Sequence, residues 1–565
     1  MASNSKPNFI LVLTDDQGYG DLSCHGNPII KTPNLDHLHS ESVRLTDFHV
    51  APMCTPTRGE LLTGQDALHN GATFVCMGRS LMNPDLPTLA DVFAKNEYKT
   101  GHFGKWHLGD NHPHRPQDRG FQETIHHPAW GITSAADYFG NDYFDPHFRH
   151  NGLTEHFKGY CTDIWFEESM KWMQERHAAE EPFFAYVATN APHGPLWVPD
   201  EYRQPYIDQV PYNVASFYGM IANIDENMGR LDKFLSETGL SDNTILIFMT
   251  DNGTATADKV YNAGMRGKKT TLYEGGHRVP CFIRWPNGNL GTPRDIPDTT
   301  HSSDILPTMI SLCGLQQSDD ADFDGVSLAN RIQKEESLED RMLVVQYGPP
   351  TGRRATGKGN AAVLWNRWRL VEGTELYNLD SDPGQEHDVA EQNPDVVTRM
   401  AEHYGQWWDR NGGNLTDYHR IDIGSDQENP ARLSSCDWMN VYCDNPNGIR
   451  GCMMDSGTWN LSVAKSGTYE FSLRRWPKES DLPISSAAPP IKFVDGDLPE
   501  GKAIPAARAW IRARTEEAET AVNPDDRSVT LSLELDEGPV TMQTWWLDDQ
   551  GERLAGAYYV TVEKM

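Results

Sequence analysis

The sequence predicts an α/β fold: a large, mainly parallel sheet flanked by helices, then a small α+β subdomain and a β-rich, sandwich-like appendage. Three apolar runs that end in polar clusters carry the first part of this reading: Asn8 to Asp16, Phe183 to Asn190 leading into Ala191-Pro-His193, and Thr244 to Asp251-Asn252-Gly253. A strand covered on both faces needs such an unbroken run, whereas a strand with one wet face alternates. Between the runs lie helical patterns, with Met220, Ile224, Met228, Leu231 and Leu235 at spacings of four and three. Strands alternating with helices form open sheets whose ligands gather outside the strands' carboxyl ends, where all three polar clusters fall.

Residues 1–340 are assigned to this α/β unit. From 341 to 412 the pattern changes to short strands around Ala361 to Tyr377 and a helix after Asn393 that includes Val396, Met400 and Tyr404, a subdomain completing the first unit. Residues 413–565 carry period-two segments, Thr468 to Arg474, Val529 to Leu535 and Tyr558 to Val562, which predict the β-rich accessory domain. Its Trp510, Trp545 and Trp546 are read as the hydrophobic half of its strands, with a glycan-binding face as the alternative.

The chain has 565 residues and a formal charge of −32, so binding to nucleic acid or anionic lipid is not expected, because both need clustered Lys and Arg. An anionic substrate therefore needs a local basic pocket. The longest apolar runs are about five residues, far below the roughly 20 that span a bilayer. Met1 to Asn8 is polar and contains no signal core, so the chain as given reads as cytoplasmic, and as periplasmic or secreted if a leader was trimmed. Nine cysteines leave at least one unpaired; Cys436, Cys443 and Cys452 lie close enough in sequence for a disulfide or metal site, with ordinary buried thiols as the simpler reading.

The most informative segment is Cys54-Thr-Pro-Thr-Arg58. Thr55 followed by Pro56 reads as an N-cap and first helical residue, which places Cys54 among the free N–H groups of a helix N-terminus. This segment resembles the Cys-x-Pro-Ser/Thr-Arg signature of type I sulfatases of the alkaline phosphatase superfamily. The resemblance covers roughly residues 7–410 and includes Thr14 to Gly18, Thr32 to Asp36, Gly104 to Gly109, Ala191 to His193, Asp251 to Gly253 and Arg266 to Gly276, in the family's order. It implies an alkaline phosphatase-like fold and oxidation of Cys54 to formylglycine by a formylglycine-generating or sulfatase-maturing enzyme. The hydrated aldehyde has two hydroxyls: one attacks the sulfur of a sulfate ester, and deprotonation of the other expels sulfate and restores the aldehyde.

Asp15, Asp16, Asp251 and Asn252 are the implied metal ligands, completed by the modified Cys54. Three converging carboxylates repel by roughly 4 kcal/mol per pair at about 4 Å, and a hard cation relieves this. Oxygen-only ligation argues for Ca²⁺, with Mg²⁺ possible. Asn252-Gly-Thr254 also reads as a glycosylation sequon, which a buried ligand could not serve. The resemblance places Arg58, Lys105, His107, His193 and Lys269 around the sulfate, with Arg58 holding the nucleophile, Lys105 and Lys269 on the sulfuryl oxygens, His107 as base, and His193 with Lys269 as donor to the leaving oxygen. Spacing from Arg266 and Glu274 selects Lys269 over Lys268.

The expected activity is hydrolysis of a sulfate ester, of a sulfated carbohydrate with aryl sulfates as further substrates. The alternatives are a phosphonate monoester or phosphodiester hydrolase of the same superfamily, and a non-catalytic glycan-binding protein on this scaffold. His112, His114, Trp130, Tyr138, Tyr143, Phe144 and His147 are read as loop residues that recognise the leaving group or simply pack.

Overall fold

The computed structural model describes residues 6–317, 322–347, 358–416 and 418–565. Ten strands form the main sheet: β1 (Asn8–Thr14), β2 (Val43–His49), β3 (Lys99–Lys105), β4 (Glu123–His127), β5 (His147–His150), β6 (Leu153–His156), β7 (Phe183–Ala188), β8 (Thr244–Thr250), β9 (Cys281–Arg284) and β10 (Arg294–His301). Their order is β10-β2-β9-β8-β1-β7-β3-β4-β5-β6, with the central β8, β1, β7, β3 and β4 parallel to their neighbours in that group.

The three apolar runs are the buried centre of this sheet. Alternate residues of β1 serve opposite cores: Phe9, Leu11 and Leu13 pack with Leu61 and Leu62 of the helix Cys54–Thr63, whereas Ile10 and Val12 pack with Ile224, Met228 and Leu231 of the helix Tyr212–Thr238. A strand with both faces dry has no place for polar side chains until it ends. Register then decides what meets there. Leu13 is level with Ala188 and Met249, Thr14 with Thr250, and Gly104 with Ala188, so the next residues of three strands, Asp15, Lys105 and Asp251, emerge together.

A second sheet, β11 (Leu343–Gln346), β12 (Ala361–Trp365), β13 (Trp368–Val371) and β14 (Glu375–Asn378), is antiparallel. The helix Pro394–Asn411 covers one face, its Met400 packing with Val363, Leu370 and Leu376. Arg369 on β13 ties this sheet to the main one. Its buried guanidinium donates to Glu274 Oε1 at 2.7 Å and to Asp47 Oδ1 at 2.8 Å. Burial opposes ionisation of both acids, but Arg369 outweighs it, holding Glu274 at about 2 and Asp47 well below the usual carboxylate range.

The C-terminal region contains β15 (Ile421–Ile423), β16 (Ala431–Ser434), β17 (Thr458–Val463), β18 (Gly467–Arg474), the hairpin β19 (Ile491–Phe493) and β20 (Gly496–Leu498), β21 (Arg508–Ala513), β22 (Glu516–Ala521), β23 (Val529–Leu535), β24 (Gly538–Leu547), β25 (Arg553–Ala555) and β26 (Tyr559–Lys564). Two sheets, β15-β17-β24-β21-β22 with β25 beside β24, and β16-β26-β18-β23, enclose a core of Trp459, Phe471, Ile511, Trp546 and Val562. Strict alternation of buried and exposed residues along β23 is the signature of one wet face. The three tryptophans divide: Trp546 is in the core, while Trp545 and Trp510 lie beneath the Arg553 guanidinium, 5.0 and 6.0 Å from it. This region also packs on the first, with Leu81 and Ala135 joining its core and the Trp197 ring 4.8 Å from that of Phe493, tilted by 39°. All nine cysteines are free thiols, Cys436, Cys443 and Cys452 among them.

Removing Arg369 leaves two buried carboxylates with only the more distant Arg278, 3.5 Å from Glu274 and 4.0 Å from Asp47, as arginine counter-charge, so Arg369→Ala is expected to destabilise the chain by about 3 kcal/mol. Denaturant unfolding checks this, and a loss below about 1 kcal/mol would show that the latch contributes only what a surface pair does.

Candidate active site

The site lies at the carboxyl ends of β1, β7, β8 and β3 and the N-terminus of the helix Cys54–Thr63. Consecutive residues of an extended strand point to opposite faces. Asp16 escapes this alternation by taking φ 72°, a left-handed conformation that costs a non-glycine residue free energy. Its backbone N–H donates to Asp251 Oδ1 at 3.2 Å, and its side chain accepts from Asn252 Nδ2 at 2.9 Å. Gly253 follows because nothing larger fits: a Cβ there would lie 1.8 Å from the carbonyl oxygen of Gly275. That contact seats the Arg266–Gly276 loop, whose Lys269 pairs with Asp16 Oδ1.

Every residue of the helix Cys54–Thr63 is buried. Its cap differs from the sequence expectation. Met53, in extended conformation, occupies the N-cap without a side-chain bond; Thr55 lies inside the helix and its hydroxyl donates to the His107 carbonyl at 3.3 Å. A hydroxyl with a tertiary partner is not available to cap its own helix. Cys54 remains at the helix start. Arg58, one turn on, donates to Asp251 Oδ2 through Nε and Nη2 at 3.2 and 2.7 Å, and to the Lys105 carbonyl at 2.9 Å. Lys105 Nζ donates to Asp15 Oδ2 at 2.5 Å.

His107 also has a left-handed backbone, φ 61°, and its Nε2 lies 2.9 Å from the Val75 carbonyl. A carbonyl only accepts, so Nε2 carries the proton and Nδ1 is the bare nitrogen, 3.5 Å from Cys54 Sγ. Burial, aided by Lys105, pulls His107 well below its usual pKa and keeps the ring neutral. His193 Nδ1 lies 2.7 Å from the Gly194 carbonyl, leaving Nε2 3.7 Å from Asp16 Oδ2. Burial, opposed by Asp16 and reinforced by Lys269, brings His193 down to about 4.

The structure therefore brings together all ten predicted residues: Asp15, Asp16, Cys54, Arg58, Lys105, His107, His193, Asp251, Asn252 and Lys269. Despite three neighbouring cations the acidic cluster is not fully satisfied. Asp15 Oδ1 and Asn252 Oδ1 are buried with no hydrogen-bond partner, and ligand atoms of Asp15, Asp251 and Cys54 lie within 4.8 Å of one another. Orphaned buried oxygens of this kind need an explanation, and an oxygen-rich donor set around them fits a hard divalent cation. Burial, and next the Asp15 carboxylate, push Asp251 up to about 7, whereas Lys269 and His193 outweigh burial at Asp16 and hold it well below the carboxylate range. Asn252 is fully buried and cannot carry a glycan.

The aromatic and histidine residues of 110–157 separate in space. Trp130 lies beside the His193 ring at 5.4 Å, and Tyr143 donates to the His193 carbonyl at 3.3 Å. His112 instead pairs with Asp118 at 3.0 Å, His114 is buried between the Met82 and Arg420 carbonyls, Phe144 packs on Tyr160, and Tyr138 stacks on His147. Sequence reasoning missed the carbonyl of Val75 and the surroundings contributed from afar. Tyr347 and Tyr442 lie within electrostatic reach of Cys54, both rings 6.5 Å from Phe74. A narrow cleft beside His107 is lined by Asp110 and Trp130 on one side and by Cys436, Asp437 and Asp444 of the C-terminal region on the other. No local pattern marks these residues, because they act only through tertiary packing.

Residues 7–315 match the family model described as Sulfatase. Mouse arylsulfatase J is 27% identical over 469 residues, 72% of this chain and 76% of its own. Mouse N-acetylgalactosamine-6-sulfatase is 29% identical over 401 residues, 66% of this chain and 75% of its own. Among solved structures, Ps i-CgsB in complex with k-i-k-neocarrahexaose superposes with TM-score 0.66 at 27% identity, covering 74% of this chain and 94% of that one.

Because burial and the neighbouring Asp15 carboxylate push Asp251 up to about 7, against the pull of Arg58, cation binding near neutrality is coupled to loss of a proton there. Calcium affinity measured by titration calorimetry is expected to fall by about tenfold from pH 8 to pH 6, with proton release that depends on buffer enthalpy. Equal affinity at both values would show that Asp251 is already ionised at pH 6.

Proposed function

Because this chain belongs to the sulfatase family and is a sulfuric ester hydrolase, we propose that it removes sulfate from a sulfated carbohydrate, using formylglycine made from Cys54 by a maturing enzyme and Ca²⁺ held by Asp15, Asp16, Asp251 and Asn252. One observation carries the reading: a buried cysteine at a helix start has a bare imidazole nitrogen 3.5 Å away on one side and two carboxylates within 4.8 Å on another. The carbohydrate assignment is supported by relatives whose names or bound ligands are glycans, the N-acetylgalactosamine-6-sulfatases and the carrahexaose complex.

When present, the hydrated aldehyde supplies a hydroxyl nucleophile and the cation a concentrated positive field for the sulfate oxygens. The chain's own groups do the rest. Arg58 is locked on Asp251 and Lys105, so it fixes two walls of the site relative to the helix that carries residue 54. Lys105 and Lys269 provide ammonium groups that neutralise the sulfuryl oxygens as charge builds during ester cleavage, without reorganisation because Lys105 is buried, Lys269 is partly buried, and each is already oriented by an aspartate. His107, neutral and with Nδ1 bare, is a proton acceptor aimed at residue 54. His193 must gain a proton at Nε2 before it can donate one, and an anionic sulfate ester beside it favours that charged form.

Peptide mass spectrometry of protein from its native host is expected to show formylglycine at residue 54, and an unmodified thiol there in fully active enzyme would refute the mechanism. Cys54→Ala should abolish turnover of 4-nitrophenyl sulfate with the melting temperature unchanged. His193→Ala should slow hydrolysis of an alkyl sulfate by about 10²–10⁴-fold but of 4-nitrophenyl sulfate by much less, since an acidic phenol leaves without a proton. A higher kcat/KM for a phosphonate monoester than for the aryl sulfate would overturn the sulfate assignment.

A further inference from the structure

A cavity of about 450 Å³ lies away from the catalytic residues, where loops of the α/β unit meet the C-terminal sandwich. Its size falls in the roughly 300–1,000 Å³ range of small-ligand sites. Four cationic side chains border it: Arg149 from β5, Arg432 from β16, Arg474 from β18, and Lys478. In a chain with a formal charge of −32 this concentration is against the average. None of the four forms an ion pair among the described residues. Arg149 donates only to the Asp110 carbonyl at 3.2 Å and Arg474 only to the Arg527 carbonyl at 3.4 Å.

The acids on the same walls lie within electrostatic reach of these cations, Asp110 and Asp137 of Arg149 and Glu479 of Arg474, but their oxygens accept from backbone N–H groups. Both carboxylate oxygens of Asp110 accept from the Ala129 N–H at 3.1 and 2.9 Å, Asp137 Oδ2 accepts from the Thr133 N–H at 2.8 Å, and Glu479 Oε1 accepts from the Phe139 N–H at 3.0 Å. Burial also pushes Asp137 up to about 7, which reduces its negative charge near neutrality. Tyr138 and His147, stacked 4.0 Å apart at 11°, add a flat aromatic wall. Unpaired cations beside an aromatic face suit a ligand with both anionic groups and apolar C–H faces, which describes a sulfated or carboxylated sugar.

The cavity adjoins the narrow cleft beside His107. Asp110 borders both, and Pro128 on the cavity is followed by Ala129 and Trp130 on the cleft. We propose that this cavity is a second binding site for an anionic saccharide, holding charged sugar units beyond the one whose ester reacts. The inference rests on the sulfatase reading of the neighbouring site. It makes the C-terminal sandwich part of substrate recognition, because Arg432, Arg474 and Lys478 all come from it.

The test uses the full chain carrying Cys54→Ala, so that ligands bind without turnover, and calorimetric titration with chondroitin 6-sulfate and carrageenan tetrasaccharides and their desulfated counterparts. At least one sulfated tetrasaccharide is expected to bind more tightly than its desulfated form, and the exposed pair R432E/K478E is expected to weaken it by about tenfold or more. In matured enzyme the same pair should raise KM for that tetrasaccharide while kcat/KM for 4-nitrophenyl sulfate stays within about twofold of the parent. Unchanged titrations in the charge-reversed chain, absence of any sulfate-dependent binding, or an equal loss on the aryl sulfate would each overturn the proposal. A chain inert on every sulfate ester would instead sink the catalytic reading, and the titrations would still decide the cavity.

Discussion

Everything in the catalytic half of this protein answers to one electrostatic constraint: Asp15, Asp16 and Asp251 are forced together, out of water, at the ends of adjacent parallel strands. The parallel register that gives the sheet its dry interior also delivers these acids to one level, so the repulsion between them is a consequence of the fold and must be met within it. Arg58, Lys105 and Lys269 each meet part of it through a direct ion pair. The unpartnered Asp15 Oδ1 and Asn252 Oδ1 mark what three cations leave unmet.

That constraint explains the local strain. Asp16 and His107 adopt left-handed backbone, and Thr270, next to Lys269, does so as well with φ 75°. Each such residue costs of order 1–3 kcal/mol and persists only where its surroundings over-determine it. Here the surroundings are the two cores on either side of β1, β7 and β8, which hold the strand ends rigid. The same rigidity fixes the positive charges of Arg58, Lys105 and Lys269 in the ground-state structure, which is the preorganisation that the proposed mechanism calls on.

The C-terminal sandwich is integrated with the catalytic unit. Its Tyr442, Asp437 and Asp444 approach the Cys54 and His107 surroundings, its β19–β20 hairpin packs near Trp197, and Arg203 pairs with Asp495. Two recesses, one narrow and acidic beside His107 and one wider and cationic beyond Asp110, exist only because the two regions touch.

What was legible in the sequence was whatever periodicity or adjacency encodes. Continuous apolar runs showed the central strands, period-two segments showed β18 and β23, and the acids that end the runs showed the acid-lined edge, since a strand that must stay dry turns polar most readily where it stops. The family resemblance then pointed to all ten residues that the fold brings together. Local pattern went wrong at Thr55, whose hydroxyl has the polarity of a cap but is drawn to the His107 carbonyl by a contact 52 residues away in sequence. It could not divide the residues of 110–157 into those beside His193 and those around the cationic cavity, nor foresee Tyr347, Tyr442 and Asp444. Periodicity specifies which face of an element is buried, but the identity of the neighbour on that face is set by how whole layers pack, and only the tertiary structure contains that information.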